Sequence, residues 1–385
     1  MSDPTESAEW HQLLAGLGSL GAHILSDAFP GPPIDPDEGF GHVAQQSLCW
    51  LSWAIGHADP TRPAFQRQND LVTMWGGPNA DNVYRHARVD PGCTYRIRGR
   101  MHSCEEFALA IREGFRHTEH PATLVELTAS DIGIVADTDF EILLGGEGDE
   151  PNRVPLPEGA IMCSIREYYF DWQPREPATF TIEYLGGEPV RPPATFGEAM
   201  DEALDLTERS IVFWNQYMIV ARDKQRDNTF GDKIDVPRGL QLSQFGFCFY
   251  DLAPDEALHV HADVPDARYW SLQLYRMRWF SPYDIARSTS LNQTQMHVGG
   301  DGRFHVVVAH RDPGVANWLD TEGRVQGLVN FRYFWGTRLP TLEAEVVPVD
   351  DIRSVLPDDA RQVDDGQRSG ELRARRDHLA WRFRT

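Results

Sequence analysis

Short strand-like runs, separated by turn residues, dominate the last third of the chain. They are FGFCFYDL (245–252), ALHVHADV (257–264), YWSLQLYRM (269–277), RFHVVVAH (303–310) and LVNFRYFWG (328–336). β-Branched and aromatic residues favour pleated strands, and many short strands with Gly, Pro or Asp between them are typical of antiparallel sandwiches. We therefore expect an antiparallel β-sandwich of jelly-roll type over residues 236–350.

A second set of short alternating runs occupies the middle of the chain, and it predicts a β-rich domain over residues 61–190. Residues 103–115 within it fit either state. Ser103 and Glu106 form a capping-box pattern that favours a helix, whereas the flanking runs favour a strand. The two alternatives stay open from the sequence alone.

Helix patterns flank the two β-rich segments. Apolar residues recur at helical spacing in residues 1–60, which predicts a helical N-terminal cap. In residues 191–235, Thr195 and Glu198 form a capping box before a long helical run, which predicts a linking helix. Residues 351–385 end in a basic amphipathic tail, which we expect to dock on its own chain or on a sister subunit of a homo-oligomer. The predicted fold class is α+β.

The charge balance excludes some classes of partner. The chain has 36 basic and 58 acidic residues in 385, a formal charge of -22, which repels phosphate backbones and anionic lipid surfaces. We expect neither a nucleic-acid nor a membrane partner. The five cysteines never occur as C-x-x-C, so we expect buried, reduced thiols without a zinc knuckle. The start of the chain lacks a signal-peptide pattern, and we expect a cytoplasmic location.

Several stretches resemble one bacterial family. DARYWSLQLY (267–276), SLNQTQ (290–295) and VVVAHRDPGVANWLDTEGRVQGLVNFRYF (306–334) are similar to the family called domain of unknown function 1214. GGPNADNVYRHARVDPGCTYRIRG (76–99) and REYYFDW (166–172) extend the resemblance upstream. The resemblance implies a C-terminal jelly-roll sandwich joined to a second β-rich half. It implies no catalytic residues, so the candidate sites rest on residue chemistry.

The connection HRDPGVANWLDT (310–321) is unusually rich in polar and aromatic residues for a hairpin turn. Asp312, Asn317 and Asp320 can accept hydrogen bonds, and Trp318 offers a large apolar face. One interpretation is a self-supporting loop whose tryptophan plugs the sandwich. The other is a binding mouth that stacks a ligand on Trp318 and holds it through the polar side chains. Calcium is a lesser alternative, because the EF-hand order is missing.

A turn-rich loop, GGPNADNVYR (76–85), is the second candidate. It is not a phosphate loop, because the G-x-x-x-x-G-K-[ST] order is missing. Asn79, Asp81 and Tyr84 either stabilise a multiple turn or reach into the same mouth. Asn292, in the SLNQTQ stretch, is a further ligand-binding candidate.

The stretch REYYFDW (166–172) is the third candidate. In strand geometry Arg166, Tyr168 and Trp172 share one side, which would form an aromatic wall with an arginine at its end. Such a wall suits an apolar or aromatic ligand that carries a carboxylate or another oxygen. Core packing explains the aromatic residues equally well.

The stretch HVHA raises the question of metal binding. His259 and His261 are two residues apart on a strand, so they could chelate one ion as cupin histidines do. No glutamate follows in the next strand, and His297 or His305 would have to complete the set from afar. Solvated strand histidines are the favoured interpretation, and the sequence predicts neither a metal nor another cofactor.

No nucleophile signature occurs, since G-x-S-x-G and S-x-x-K are both missing. We therefore expect a small-molecule enzyme whose two β-rich halves enclose an aromatic-lined pocket for an apolar organic substrate. Cofactor-free acid/base chemistry of the hydrolase, lyase or isomerase type would use Asp81, Tyr84 and Asp320. The alternative is a noncatalytic ligand-binding or oligomer-assembly module.

Overall fold

The computed structural model describes residues 8–173, 176–235, 243–338 and 340–384. They form two compact units that interleave along the chain. Among the described residues, unit 1 comprises 8–75, 82–168 and 176–216, and unit 2 comprises 76–81, 169–173 and 217–384 with the gaps given above. The division of the chain into five segments, expected from the sequence, stays a prediction.

Unit 1 combines helices with two four-stranded sheets. Its elements are α1 (Ala8–Ile24), α2 (Pro36–Gly56), β1 (Asn82–Arg88), β2 (Cys93–Arg100), β3 (Glu106–Arg112), β4 (Thr123–Thr128), β5 (Asp139–Leu144), β6 (Arg153–Val154), β7 (Met162–Tyr168), β8 (Thr179–Gly187) and α3 (Phe196–Arg222), the last of which ends in unit 2. The sheets have the orders β1-β7-β3-β4 and β6-β5-β2-β8. All their strand pairs are antiparallel except β5 with β6.

The undecided segment 103–115 contains a strand. β3 pairs with β7 on one side and β4 on the other, so both of its edges are hydrogen-bonded. The polar residues that suggested a helix cap have other partners. Ser103 Oγ donates to the carbonyl of Glu176 at 2.8 Å, and the Glu106 carboxylate accepts from Ser130 Oγ at 2.6 Å. Tertiary pairing therefore overrides the local capping pattern.

Unit 2 contains two more sheets and a C-terminal helix. Its elements are β9 (Thr229–Phe230), β10 (Ile234–Asp235), β11 (Gln244–Asp251), β12 (Glu256–Asp263), β13 (Asp266–Tyr275), β14 (Ser290–Asn292), β15 (Arg303–Ala309), β16 (Trp318–Asp320), β17 (Gln326–Arg338), β18 (Glu343–Pro348) and α4 (Asp365–Phe383). One sheet has the order β10-β11-β17-β13-β14, with β9 also paired to β11, and the other has the order β16-β15-β12-β18. The five predicted strand runs are confirmed.

Side chains from both sheets of unit 2 form one hydrophobic cluster. Tyr250 and Phe331 of the first sheet and Leu258 and Val306 of the second are all at most 1% exposed in it. Alternation along each strand explains the cluster, since residues two apart face the same side. The mixed α+β class is confirmed, and the jelly-roll strand order stays a prediction. None of the described helices has the length and apolarity that a membrane span requires.

Two local expectations are wrong. The connection 310–321 is not a hairpin, because β15 and β17 belong to different sheets. The chain must cross between sheets there, and on the way β16 pairs in parallel with β15. The stretch 166–172 is not one strand either. β7 ends at Tyr168, so strand alternation does not place Trp172 beside Arg166.

Candidate functional site

One face of the sheet β1-β7-β3-β4 carries a small cleft of about 40 Å³. The strand register builds it from adjacent rows of side chains on that face. One row is Tyr84, Arg166 and Ala108, and the next is His86, Ser164, Ala110 and Glu126. Arg112 follows Ala110 two residues later and therefore points to the same side. These residues line what we call the Ala108 cleft.

The side chains at the base of the Ala108 cleft are small, and this leaves the cleft unfilled. Ala108 and Ala110 are 5% and 7% exposed and occupy an inner strand of the sheet. Their methyl groups cannot reach the longer side chains of β1, β7 and β4 that surround them. The sheet therefore has a small depression bordered by polar groups.

Two arginines supply positive charge to the Ala108 cleft. The Arg166 guanidinium lies 5.5 Å from the ring centre of Tyr84, and its Nη1 donates to Tyr168 Oη at 3.5 Å. Among the described residues, the Nε groups of Arg166 and Arg112 are buried without a hydrogen-bond partner. A buried donor without an acceptor is costly, so an oxygen-bearing ligand in the cleft would relieve that cost.

Burial also changes the protonation of the groups in the Ala108 cleft. It raises the pKa of Glu126, although the charges of Arg166 and Arg112 oppose the shift. Burial, together with the charge of Arg112, lowers the pKa of His86 to about 3, so this imidazole is neutral at physiological pH. Burial and the charge of Arg166 lower the pKa of Arg112 to about 10, which leaves it protonated. The cleft thus combines two cations with a carboxyl group that holds its proton more strongly than usual.

The match to a protein family lies in unit 2. Residues 250–337 match the family model described as "Protein of unknown function (DUF1214)". Residues 250–337 belong to the DUF1214 family. The resemblance predicted from the sequence is confirmed for these residues, and the similar stretches at 76–99 and 166–172 lie outside the match. No curated protein matches the chain.

One solved structure extends the likeness beyond the DUF1214 segment. The chain is similar to an uncharacterized protein from Burkholderia cenocepacia, with 25% identity, a TM-score of 0.78, and coverage of 89% of this chain and 97% of that one. It is also similar to a protein from Vibrio parahaemolyticus, with 11% identity, a TM-score of 0.45, and coverage of 86% and 100%. The fold of the first structure is therefore shared over most of the chain.

Four predicted site residues meet in unit 2, around the carboxylate of Asp81. Its Oδ1 accepts from Trp172 Nε1 at 2.6 Å and from Asn292 Nδ2 at 2.9 Å, and its Oδ2 accepts from Tyr269 Oη at 2.6 Å. Asn79 Nδ2 also contacts the Tyr269 hydroxyl at 2.7 Å. All five residues are at most 7% exposed. This Asp81 network includes the DUF1214 residues Tyr269 and Asn292, and its hydrogen bonds hold the buried loop together.

The polar residues of the DUF1214 loop 310–321 form hydrogen bonds within the loop and with neighbouring segments. Asn317 Nδ2 donates to the carbonyls of His297 and His305 at 2.7 and 2.9 Å. Asp320 Oδ2 accepts from Arg287 Nε at 2.8 Å, and its Oδ1 accepts from the Glu322 backbone at 2.8 Å. These contacts are those of a self-supporting loop.

Helix α4 covers the aromatic residues predicted to bind a ligand. The Arg368 guanidinium lies 5.2 Å from the Trp318 ring centre and donates to Asp312 Oδ2 at 2.7 Å. The Arg375 guanidinium lies 4.2 Å from the Trp172 ring centre. Tyr168 belongs to unit 1, whereas Trp172 and Trp318 belong to unit 2 and contact different arginines of α4. The basic tail therefore packs on its own chain in unit 2.

Sequence reasoning found Tyr84, Arg166 and Tyr168 but missed the other polar side chains near them. Arg112, Glu126, His86 and Ser164 come from different strands, and the pairing that places them together is long-range. One signal was available. In EFALAIR the small Ala108 and Ala110 alternate with Phe107, Leu109 and Ile111, which indicates a strand with one sparsely filled face once the strand is assigned.

Proposed function

We propose that unit 1 binds a small organic anion, an apolar or aromatic molecule with one carboxylate, in the Ala108 cleft. The observation that supports this most directly is the pair of buried Nε donors on Arg112 and Arg166, beside an open space. Guanidinium groups bind carboxylates through paired hydrogen bonds, and Tyr84 offers a ring beside them. The local charge inside the cleft is positive, which supports an anionic ligand although the whole chain has a formal charge of -22.

A catalytic function is the second candidate, and the raised pKa of Glu126 favours it. A carboxyl group with a raised pKa keeps its proton to a higher pH than usual and can return it to a bound substrate. Tyr84, on the other edge strand of the same sheet face, would orient the substrate or take part in proton transfer. The reaction would be a cofactor-free hydrolase, lyase or isomerase step. The noncatalytic alternative is binding alone, or assembly of oligomers.

Three further points belong to the same proposal. Unit 2 would be a jelly-roll sandwich, which its shared hydrophobic cluster supports. The protein would act in the cytoplasm, and it would form a homo-oligomer through residues 351–385. Sedimentation of the full chain and of a chain that ends before α4 tests the last point.

Calorimetric titration with benzoate and phenylacetate tests the binding proposal. We expect Arg166→Gln and Arg112→Gln each to weaken binding about 10- to 150-fold, since a hydrogen bond to a charged group contributes about 1.5–3 kcal/mol. Arg98→Gln is the matched control, because Arg98 is exposed on the other sheet of unit 1 and pairs with Glu141 at 3.0 Å. Benzamide, which lacks the charge, should bind at least about tenfold more weakly than benzoate.

The binding proposal is wrong if none of these anions binds, or if the Arg166→Gln and Arg98→Gln proteins bind them equally well. Glu126→Gln separates binding from catalysis. It should bind the anion at least as tightly as the wild type, because it removes a negative charge from the cleft. If a turned-over substrate is found, Glu126→Gln should lose turnover while it keeps binding, and unchanged turnover would exclude Glu126 as the proton-transfer group.

A further inference from the structure

A second cluster of polar side chains lies in unit 2, on the sheet β16-β15-β12-β18. His259 and His261 project from β12, and the face that carries them is the one opposite Leu258, Val260 and Ala262 of the hydrophobic core. His259 is 2% exposed, so its interpretation as a solvated histidine is wrong. The neighbouring strands β15 and β18 flank it on both sides.

The register brings the remaining members of the cluster from those strands. On β15, His305 lies opposite His261, and on β18, Glu345 lies opposite His259. Ligand atoms of His259, His261 and Glu345 all lie within 4.8 Å of one another. We call these three residues and His305 the His259 cluster. The three imidazole rings are close together, with centres 4.7 to 5.6 Å apart.

The hydrogen-bond chain through the His259 cluster has one proton too few. Glu345 Oε1 lies 3.0 Å from His259 Nδ1, His259 Nε2 lies 3.0 Å from His305 Nδ1, and His305 Nε2 lies 2.9 Å from Asp301 Oδ2. Each of these three contacts needs one hydrogen between its two atoms. Two neutral imidazoles supply two hydrogens, and the ionised carboxylates supply none. One contact therefore needs an additional cation.

The position of that cation follows from the direction of the chain. If His305 donates to Asp301 and His259 donates to His305, the lone pair of His259 Nδ1 points at the Glu345 carboxylate. Ligating histidines commonly donate their second N–H to another group in this way, which fixes the tautomer. His261 Nδ1, close by, is buried without a hydrogen-bond partner among the described residues. One imidazole nitrogen each of His259 and His261 and a carboxylate oxygen of Glu345 thus lie close enough together to share one ion.

We propose that His259, His261 and Glu345 bind a divalent transition-metal ion, with His305 and Asp301 as the outer hydrogen-bond partners that orient His259. Zn²⁺ and Co²⁺ suit two imidazoles and a carboxylate, and such a set leaves a position for water or a ligand. Ca²⁺ and Mg²⁺ prefer oxygen ligands and do not fit it. The surroundings attract a cation, since the three carboxylates of Glu343, Asp263 and Asp301 outnumber the two arginines that pair with them, Arg303 and Arg338. This proposal is independent of the Ala108 cleft.

Metal binding to the full, tag-free chain tests the proposal. Dialysis against Zn²⁺ followed by elemental analysis should give one equivalent per chain, and Co²⁺ should give the visible absorption of a four- or five-coordinate site. Glu345→Gln should lose the metal without loss of folding, because this side chain is 51% exposed. His305→Gln should keep the stoichiometry but bind about 10- to 100-fold more weakly, as expected for an outer partner.

His297→Ala is the matched control, since His297 is a histidine of the same unit outside the cluster, and it should bind metal like the wild type. Equal metal content in the Glu345→Gln and wild-type proteins would overturn the proposal. So would a metal-free wild type whose imidazole ¹⁵N signals show a doubly protonated His259 at pH 7, because a proton would then be the missing cation.

Discussion

Removal of the Asp81 carboxylate should destabilise unit 2 more than any change of an exposed acidic residue there. Its three hydrogen bonds come from Trp172, Asn292 and Tyr269, and all three donors are buried. In Asp81→Ala each donor loses its acceptor, at about 1–3 kcal/mol per group. We expect a total loss of about 5 kcal/mol, which is large beside the usual 5–15 kcal/mol stability of a protein.

Two milder variants should destabilise unit 2 less than Asp81→Ala does. Asp81→Asn keeps one acceptor oxygen for Trp172 and Asn292, and Tyr269 can donate instead to Ser271 Oγ, which lies at 2.8 Å. The loss should then be about 1–3 kcal/mol, because only the charge is removed. Trp172→Phe removes one donor and should cost a similar amount.

Thermal unfolding at pH 7.5 is the assay. For a unit of this size, 1 kcal/mol corresponds to about 2–4 °C, so Asp81→Ala should lower Tm by at least about 10 °C and Asp81→Asn by about 2–12 °C. Asp251→Asn is the control, since Asp251 is exposed and accepts from Gln326 Nε2 at 2.6 Å. It should change Tm by less than about 2 °C. If Asp81→Ala behaves like Asp251→Asn, the carboxylate does not hold the network together.

The remaining predictions concern one residue each. Glu126→Gln should raise Tm at pH 8 but not near pH 4, since a carboxyl whose pKa is raised in the folded state costs stability progressively as pH rises above its unfolded pKa. The pKa of His86 is about 3 in the folded state and 6.5 in the unfolded state, so the wild type loses stability as pH falls through 6.5. His86→Gln should not show this loss, which amounts to about 2 kcal/mol at pH 5 and can be measured by urea unfolding. An unchanged pH profile of the variant would contradict this. Gly77 has φ 69°, and a Cβ added there would lie 2.1 Å from the Phe280 ring, whereas one added at Gly302 would meet only open space. Gly77→Ala should therefore lower Tm by several degrees more than Gly302→Ala, and equal shifts would refute the clash.

Local sequence patterns predicted many of the helices and strands. The strand runs of unit 2 and the long helix before it lie where alternation and capping residues predict them, as Thr195 and Glu198 show for α3. The exceptions are instructive. Ser103 and Glu106 also form a local capping pattern, yet β3 is a strand because β7 and β4 pair with it. Local signals decide the element unless two neighbouring strands compete for the same backbone.

The candidate sites were predicted less completely. Tyr84 and Arg166 were named from two local stretches of the sequence, but Arg112 and Glu126 join them only through the register of four strands. His259 was noticed together with His261, yet Glu345, 84 positions or more along the chain from both, completes the set. No local rule in the sequence connects such positions.

The amino-acid sequence by itself determined the α+β class, the DUF1214 resemblance and the negative charge, because periodicity, motifs and composition are local or additive properties. Only the tertiary structure decided which side chains share a sheet face. A shift of one residue in strand register would turn Arg166 or His259 to the opposite face, and register depends on contacts between distant segments. The two sites that we propose therefore lie on sheet faces, whereas the sequence pointed to a loop mouth.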